Sequence, residues 1–134
     1  MMIRRLWPSI AWALIILVLM GVPGTYFPSV KSFWDWLSPD KAVHLVVFGV
    51  QSILLLHAFR EQYFQKKKRL IYQSSILLIS ILFALSTEVL QKYLFVGRDG
   101  NVWDFIADVV GVFIGFLAYY LLNYKKMKAK NRIQ

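Results

Sequence analysis

The chain has 134 residues, 58% of them hydrophobic and only 17% charged, with a mean hydropathy of +0.53. A soluble domain this small has too much surface for its volume to hide so many apolar side chains, so the composition points to a membrane protein and excludes most soluble-enzyme classes. Cysteine is absent, which removes disulfides, thiol nucleophiles and thiolate metal sites.

Four apolar stretches follow one another, at about 6–22, 42–59, 70–95 and 102–124, each near the roughly 20 residues that a spanning helix needs. The first follows Arg4 and Arg5 and has the basic start of a signal peptide. Its apolar run is long for that role and no small-x-small cleavage site follows, so an uncleaved span is expected. Between the first two stretches lies the longest outer loop, 24–40, with Tyr26, Phe27, Phe33, Trp34, Trp36 and Leu37 and few charges. Such a segment belongs in the headgroup region, as an aromatic anchor or as a cover over a bound head. The third stretch is the longest and is expected to tilt or to extend past the hydrocarbon. A lysine-rich tail follows the fourth and suits a solvated anchor near anionic lipid. The fold expected is all-α: a single membrane domain over 1–134 forming a four-transmembrane-helix bundle.

The net charge of +9 is distributed by loop, which is a topology signal and argues against nucleic acid as a partner. Arg4 and Arg5 precede the first span. Arg60, Lys66, Lys67, Lys68 and Arg69 lie between the second and third, and Lys125, Lys126, Lys128, Lys130 and Arg132 follow the fourth. The other loops and their flanks hold only Lys31, Lys41, Lys92 and Arg98, together with every acidic residue except Glu61. Both termini are therefore expected in the cytoplasm, in the plasma membrane of a cell.

Polar residues enter the spans at one end. The second span opens with Asp40, Lys41 and His44. The third, running outward, carries Thr87, Glu88 and Gln91. The fourth is preceded by Gly97, Arg98, Asp99, Gly100 and Asn101 and carries Asp104 and Asp108. At 1.5 Å of rise per residue, His44, Glu88 and Asp108 lie roughly 7–10 Å below the outer ends of their helices. Asp40 and His44, Thr87 and Gln91, and Asp104 and Asp108 are each four apart, so each pair shares a helical face. A charge at mid-membrane costs roughly 2.5–3.5 kcal/mol on insertion scales. One inward pocket, with Lys41 and Arg98 as counter-charges, is the arrangement that costs least.

Structural readings stand beside these. Ser38 and Pro39 suit a helix start, with Asp40 complementing the dipole. Lys41 can snorkel, and Asp104 sits where a first-turn acid belongs. His44, Glu88 and Asp108 can serve to lock the helices together. His57 lies near the inner end on another face. Gly111 and Gly115 form a small-x-x-x-small face suited to close helix packing, which would bring Asp108 against its neighbours; a monomer and a dimer through the fourth span both remain open.

The ordered set DKAVH at Asp40–His44 with Phe48, TEVLQ at Thr87–Gln91, GRDGNVWD at Gly97–Asp104, then Asp108, Gly111 and Gly115 resembles the VanZ-like family of small membrane proteins. The resemblance runs from about 40 to 115 and departs at Asp108, where the family typically carries Asn. It implies a link to glycopeptide resistance of the teicoplanin type, known in the founding member, and a bacterial cell envelope.

Two functional classes fit the pocket. In the first, Asp40, Lys41, His44, Glu88, Gln91, Arg98, Asp104 and Asp108 bind a polar-headed membrane lipid or a lipid-linked cell-wall precursor. Lys41 and Arg98 would face phosphate, and the carboxylates amide, amine or sugar groups. In the second, the chain is an intramembrane hydrolase or transferase of such a lipid, with Glu88, His44 or Asp108 as acid or base. No cofactor is demanded, although carboxylates with His44 can hold a divalent cation. The sequence contains no G-x-S-x-G and no HExxH, so the usual nucleophile and zinc signatures are missing. Ion movement ranks behind both, since the inner halves of the first and fourth spans are almost wholly apolar.

Overall fold

The computed structural model describes residues 2–22, 39–95 and 102–131. The aromatic loop at 24–38 and the Gly97–Asn101 turn with Arg98 lie outside the described residues. All regular structure among the described residues is helical: α1 Met2–Met20, α2 Pro39–Ala58, the single turn α3 Arg60–Tyr63, α4 Lys66–Tyr93 and α5 Val102–Asn131. Three of these are long and apolar enough to cross a membrane by length and composition, within Pro39–Ala58, Lys66–Tyr93 and Val102–Lys130. The protein is a membrane protein.

The helices outrun the apolar stretches at their basic ends. α4 takes in Lys66–Arg69 and α5 continues to Asn131, because lysine and arginine are good helix formers and the basic last turns of α5 favour the negative end of its dipole. At 28 and 30 residues, these two helices are roughly 42–45 Å long, more than the ~30 Å hydrocarbon.

Side chains are sorted opposite to a soluble core. Leu78, Leu82, Leu85, Phe113, Leu117 and Leu121 are on the outside, while His44, Gln51, Ser52, Ser80, Thr87, Gln91, Asp104 and Asp108 are buried among the helices. In lipid, apolar surface has no reason to turn inward, and polar groups gain by meeting each other.

Register can be followed from named contacts. Trp12 Nε1 donates to the Val47 carbonyl at 2.9 Å and Gln51 Nε2 to Ser9 Oγ at 3.0 Å, while Arg5 pairs with Glu61. Numbers fall along α1 as they rise along α2, so the two helices are antiparallel. Between α2 and α5 the numbers rise together: Lys41 faces Asp104, His44 faces Asp108, and Ser52 Oγ donates to the Gly49 and Val112 carbonyls. These two helices are parallel and make the most extensive contact in the molecule.

That contact depends on missing side chains. A Cβ on Gly111 would strike the Leu45 backbone, and one on Gly115 would strike the Gly49 carbonyl and Ser52 Oγ. The Gly111/Gly115 face predicted for close packing meets a matching face on α2, formed by Gly49 and Ser52. α4 closes the arrangement against both, with Phe83 against Phe48 at 5.7 Å and a shared apolar cluster of Ile16, Met20, Val47, Phe48, Ala84 and Val112. A second cluster at the opposite end holds Leu56, Tyr63, Ile76, Tyr119 and Met127, where the Tyr63 and Tyr119 rings meet edge-on at 5.0 Å.

Candidate functional site

The polar cluster lies where α2 and α5 begin and α4 ends. Asp40 and His44 come from the first two turns of α2, Glu88 and Gln91 from the last turns of α4, and Asp104 and Asp108 from the first two turns of α5. Because α2 and α5 run parallel in tight register, residues about one turn apart on one helix face residues about one turn apart on the other. Hence Lys41 Nζ is 3.6 Å from Asp104 Oδ1, and one turn deeper His44 Nδ1 is 2.9 Å from Asp108 Oδ1. Glu88 reaches the same imidazole from α4, its Oε1 3.8 Å from His44 Nδ1.

Burial increases with depth. The Lys41 side chain is 21% exposed and that of Asp104 9%, whereas those of His44 and Asp108 are both fully buried. Asp40, one turn before His44, is half-buried. Gln91, also buried, donates through Nε2 to the Met20 carbonyl at 3.1 Å. It therefore ties the end of α1 to α4 at the level of the cluster. Thr87 turns its hydroxyl back to the Ala84 carbonyl at 2.7 Å.

The chemistry available is that of excess negative charge. Four carboxylates (Asp40, Glu88, Asp104 and Asp108) share this region with Lys41 and the imidazole of His44. The donor atoms of Asp40, His44 and Asp104 lie within 4.8 Å of one another, and so do those of His44, Glu88 and Asp108. His44 belongs to both triads. Among the buried polar atoms here that meet no hydrogen-bond partner among the described residues are His44 Nε2 and Asp108 Oδ2. An imidazole bonded to a carboxylate, with its other nitrogen unused, is equipped to receive a ligand hydrogen bond, to exchange a proton or to help hold a cation.

Seven of the eight residues singled out from the sequence, all but Arg98, are thus gathered at one end of the three helices. Gln91 spends its amide on α1, on the margin of the cluster. His57 stands apart at the other end, exposed and 3.2 Å from Arg60 Nη1. Sequence reasoning missed Gly49 and Ser52, which let α5 close on α2; small residues three apart, one turn beyond His44, were the available signal. It also missed Trp12 and the Ser9–Gln51 pair, which dock α1.

Outside the spans, the Glu61 carboxyl is held below its ordinary value by its hydrogen bond and charge pairing with Arg5. Burial pushes the Tyr63 hydroxyl up.

Compared with known proteins, residues 10–123 match a family model described as VanZ/LLP1. No curated protein and no solved structure matches the chain.

Proposed function

Because the chain belongs to the VanZ/LLP1 family, we propose that it is a four-span plasma-membrane protein with both termini in the cytoplasm that binds the polar head of a membrane lipid or lipid-linked envelope precursor. The observation that carries this reading is the convergence of His44, Glu88 and Asp108 from three helices, beneath the half-buried Asp40 and Lys41.

The charge asymmetry of the flanks supports the orientation, with Arg60 and Lys66–Arg69 at one end and Asp40, Glu88, Asp104 and Asp108 at the other. In this reading the cluster faces the extracytoplasmic side. α1 serves as the fourth span, docked on α2 through Trp12 and Gln51. In this reading Lys41 supplies the positive charge for a phosphate. Asp104, Asp108 and Glu88 accept hydrogen bonds from hydroxyl, amide or amine groups, and Asp40 and Gln91 complete the wall. The link to glycopeptide resistance follows if the head belongs to a cell-wall precursor.

Native mass spectrometry of the gently extracted full chain tests it. The wild type retains a lipid with a polar head; Glu88→Gln and Lys41→Ala fold but lose it; Ser86→Ala, on an exposed hydroxyl bonded to the Leu82 carbonyl, keeps it. Equal retention in all four proteins overturns the reading.

A hydrolase or transferase has one observation in its favour. His44 bonded to Asp108 at 2.9 Å has the arrangement of a general base oriented by a carboxylate. It predicts that added phospholipid or polyprenyl phosphate is converted to product by the wild type and not by His44→Gln.

A further inference from the structure

We propose that His44, Glu88 and Asp108 form a binding site for one divalent transition-metal ion, of the Mn²⁺ or Zn²⁺ class, in the buried part of the polar cluster. Each donor comes from a different helix, α2, α4 and α5, and all three residues are buried. Donors around a small divalent ion at bond lengths of about 2.0–2.2 Å stand roughly 3.0–3.5 Å apart. His44 Nδ1 is 2.9 Å from Asp108 Oδ1 and 3.8 Å from Glu88 Oε1, so rotamer-scale adjustments bring the three to that spacing.

A second observation is independent of the spacing. Asp108 is wholly buried, and while Oδ1 meets His44, Oδ2 meets no hydrogen-bond partner among the described residues. A carboxylate removed from water with half its acceptor capacity unused is costly, and a cation answers that cost directly. The surrounding charge points the same way: Asp40 and Asp104 add two more carboxylates, against Lys41 alone as a fixed cation among the described residues of the cluster. The nitrogen donor favours Mn²⁺ or Zn²⁺ over Mg²⁺ or Ca²⁺, which prefer all-oxygen shells.

Three protein donors leave coordination positions open. The ion therefore also gives a phosphate something to bind in a cluster whose own carboxylates would repel it. That use of the ion rests on the head-group reading, although the ion's binding does not.

The experiment uses the full chain, stripped with a chelator and reconstituted in nanodiscs of phosphatidylcholine, titrated calorimetrically with Mn²⁺ and with Zn²⁺. The wild type takes up one saturable ion per chain. Asp108→Asn and His44→Gln weaken it by at least about 100-fold, and His57→Gln, at the exposed second histidine, leaves it unchanged. Circular dichroism and gel filtration confirm that the variants are folded; Glu88→Gln replaces any that is not. No saturable site in the wild type, or unchanged affinity in the folded variants, overturns the proposal. Ion binding without lipid retention sustains this site and removes the head-group reading; lipid retention without ion binding does the reverse.

Discussion

Replacing Gly111 by alanine tests how the site is assembled. The added Cβ would stand 3.0 Å from Leu45 Cα and 2.9 Å from Leu45 C, and nearer still to the carbonyl oxygen. Optimal separations are roughly 3.5–4.0 Å, and the obstacle is backbone, which cannot rotate aside. α2 and α5 must separate by about 1 Å, judged against those separations. Overpacking of this kind costs about 1–3 kcal/mol. Asp108 lies three residues before Gly111, about 4.5 Å along the helix, so the same movement stretches its 2.9 Å bond to His44 and threatens a further penalty of about 1–3 kcal/mol for an unsatisfied buried group. Alanine's better helix propensity returns up to about 1 kcal/mol, leaving a net loss of about 1–5 kcal/mol. The assay is thermal unfolding of the full chain in one detergent, with Gly21→Ala as the control. A Cβ at Gly21 meets only ordinary contacts, 3.4 Å to the Leu17 and Val18 carbonyls and 3.7 Å to the Phe95 ring. If Gly111→Ala is no less stable than Gly21→Ala, the close α2–α5 approach is not what holds His44 to Asp108.

Other perturbations address the remaining ties. Trp12→Phe removes the bond to the Val47 carbonyl at 2.9 Å and is expected to lower stability by about 1 kcal/mol, read in the same melts; no change would mean that α1 docks by shape alone. Arg5 holds the Glu61 carboxyl below its ordinary value of 4.5. The stability from that pair is therefore present above pH 4.5 and lost as pH falls below it, and melts of Arg5→Ala should show a flatter acid limb than the wild type. Burial raises the Tyr63 hydroxyl above its ordinary value of 10.0. The folded state then resists ionisation that the unfolded chain undergoes, so stability is held below pH 10 and declines above it; Tyr63→Phe should flatten that alkaline limb.

Much of the site was legible because membrane helices obey two simple rules. An acid within an apolar run is costly against lipid, and residues four apart share a face, so Asp40 with His44 and Asp104 with Asp108 could be assigned to inward faces. What the sequence did not disclose is the pairing. Alternating loops make the second and fourth spans parallel, but nothing in the spacing says that α2 and α5 lie side by side in the register at which Lys41 meets Asp104 and His44 meets Asp108. That depends on Gly49 and Ser52 meeting Gly111 and Gly115, a complementarity of two distant segments rather than a property of either. Helix ends were also obscured. Hydropathy stops at Leu70 and near Tyr124, whereas the backbone keeps its ladder through the lysines on either side, because charge sets where the membrane ends and not where a helix does.

Only two histidines occur in the chain, which makes a ¹⁵N-histidine spectrum of the full-length protein a direct view of the convergence. His44 lies between Asp108 and Glu88, while His57 is exposed beside Arg60. Asp108→Asn on α5 and Glu88→Gln on α4 should each move the ring-nitrogen resonances of His44 and leave those of His57 in place. His44 resonances indifferent to either substitution would mean that the three helices do not bring these groups together, and the site would have no basis.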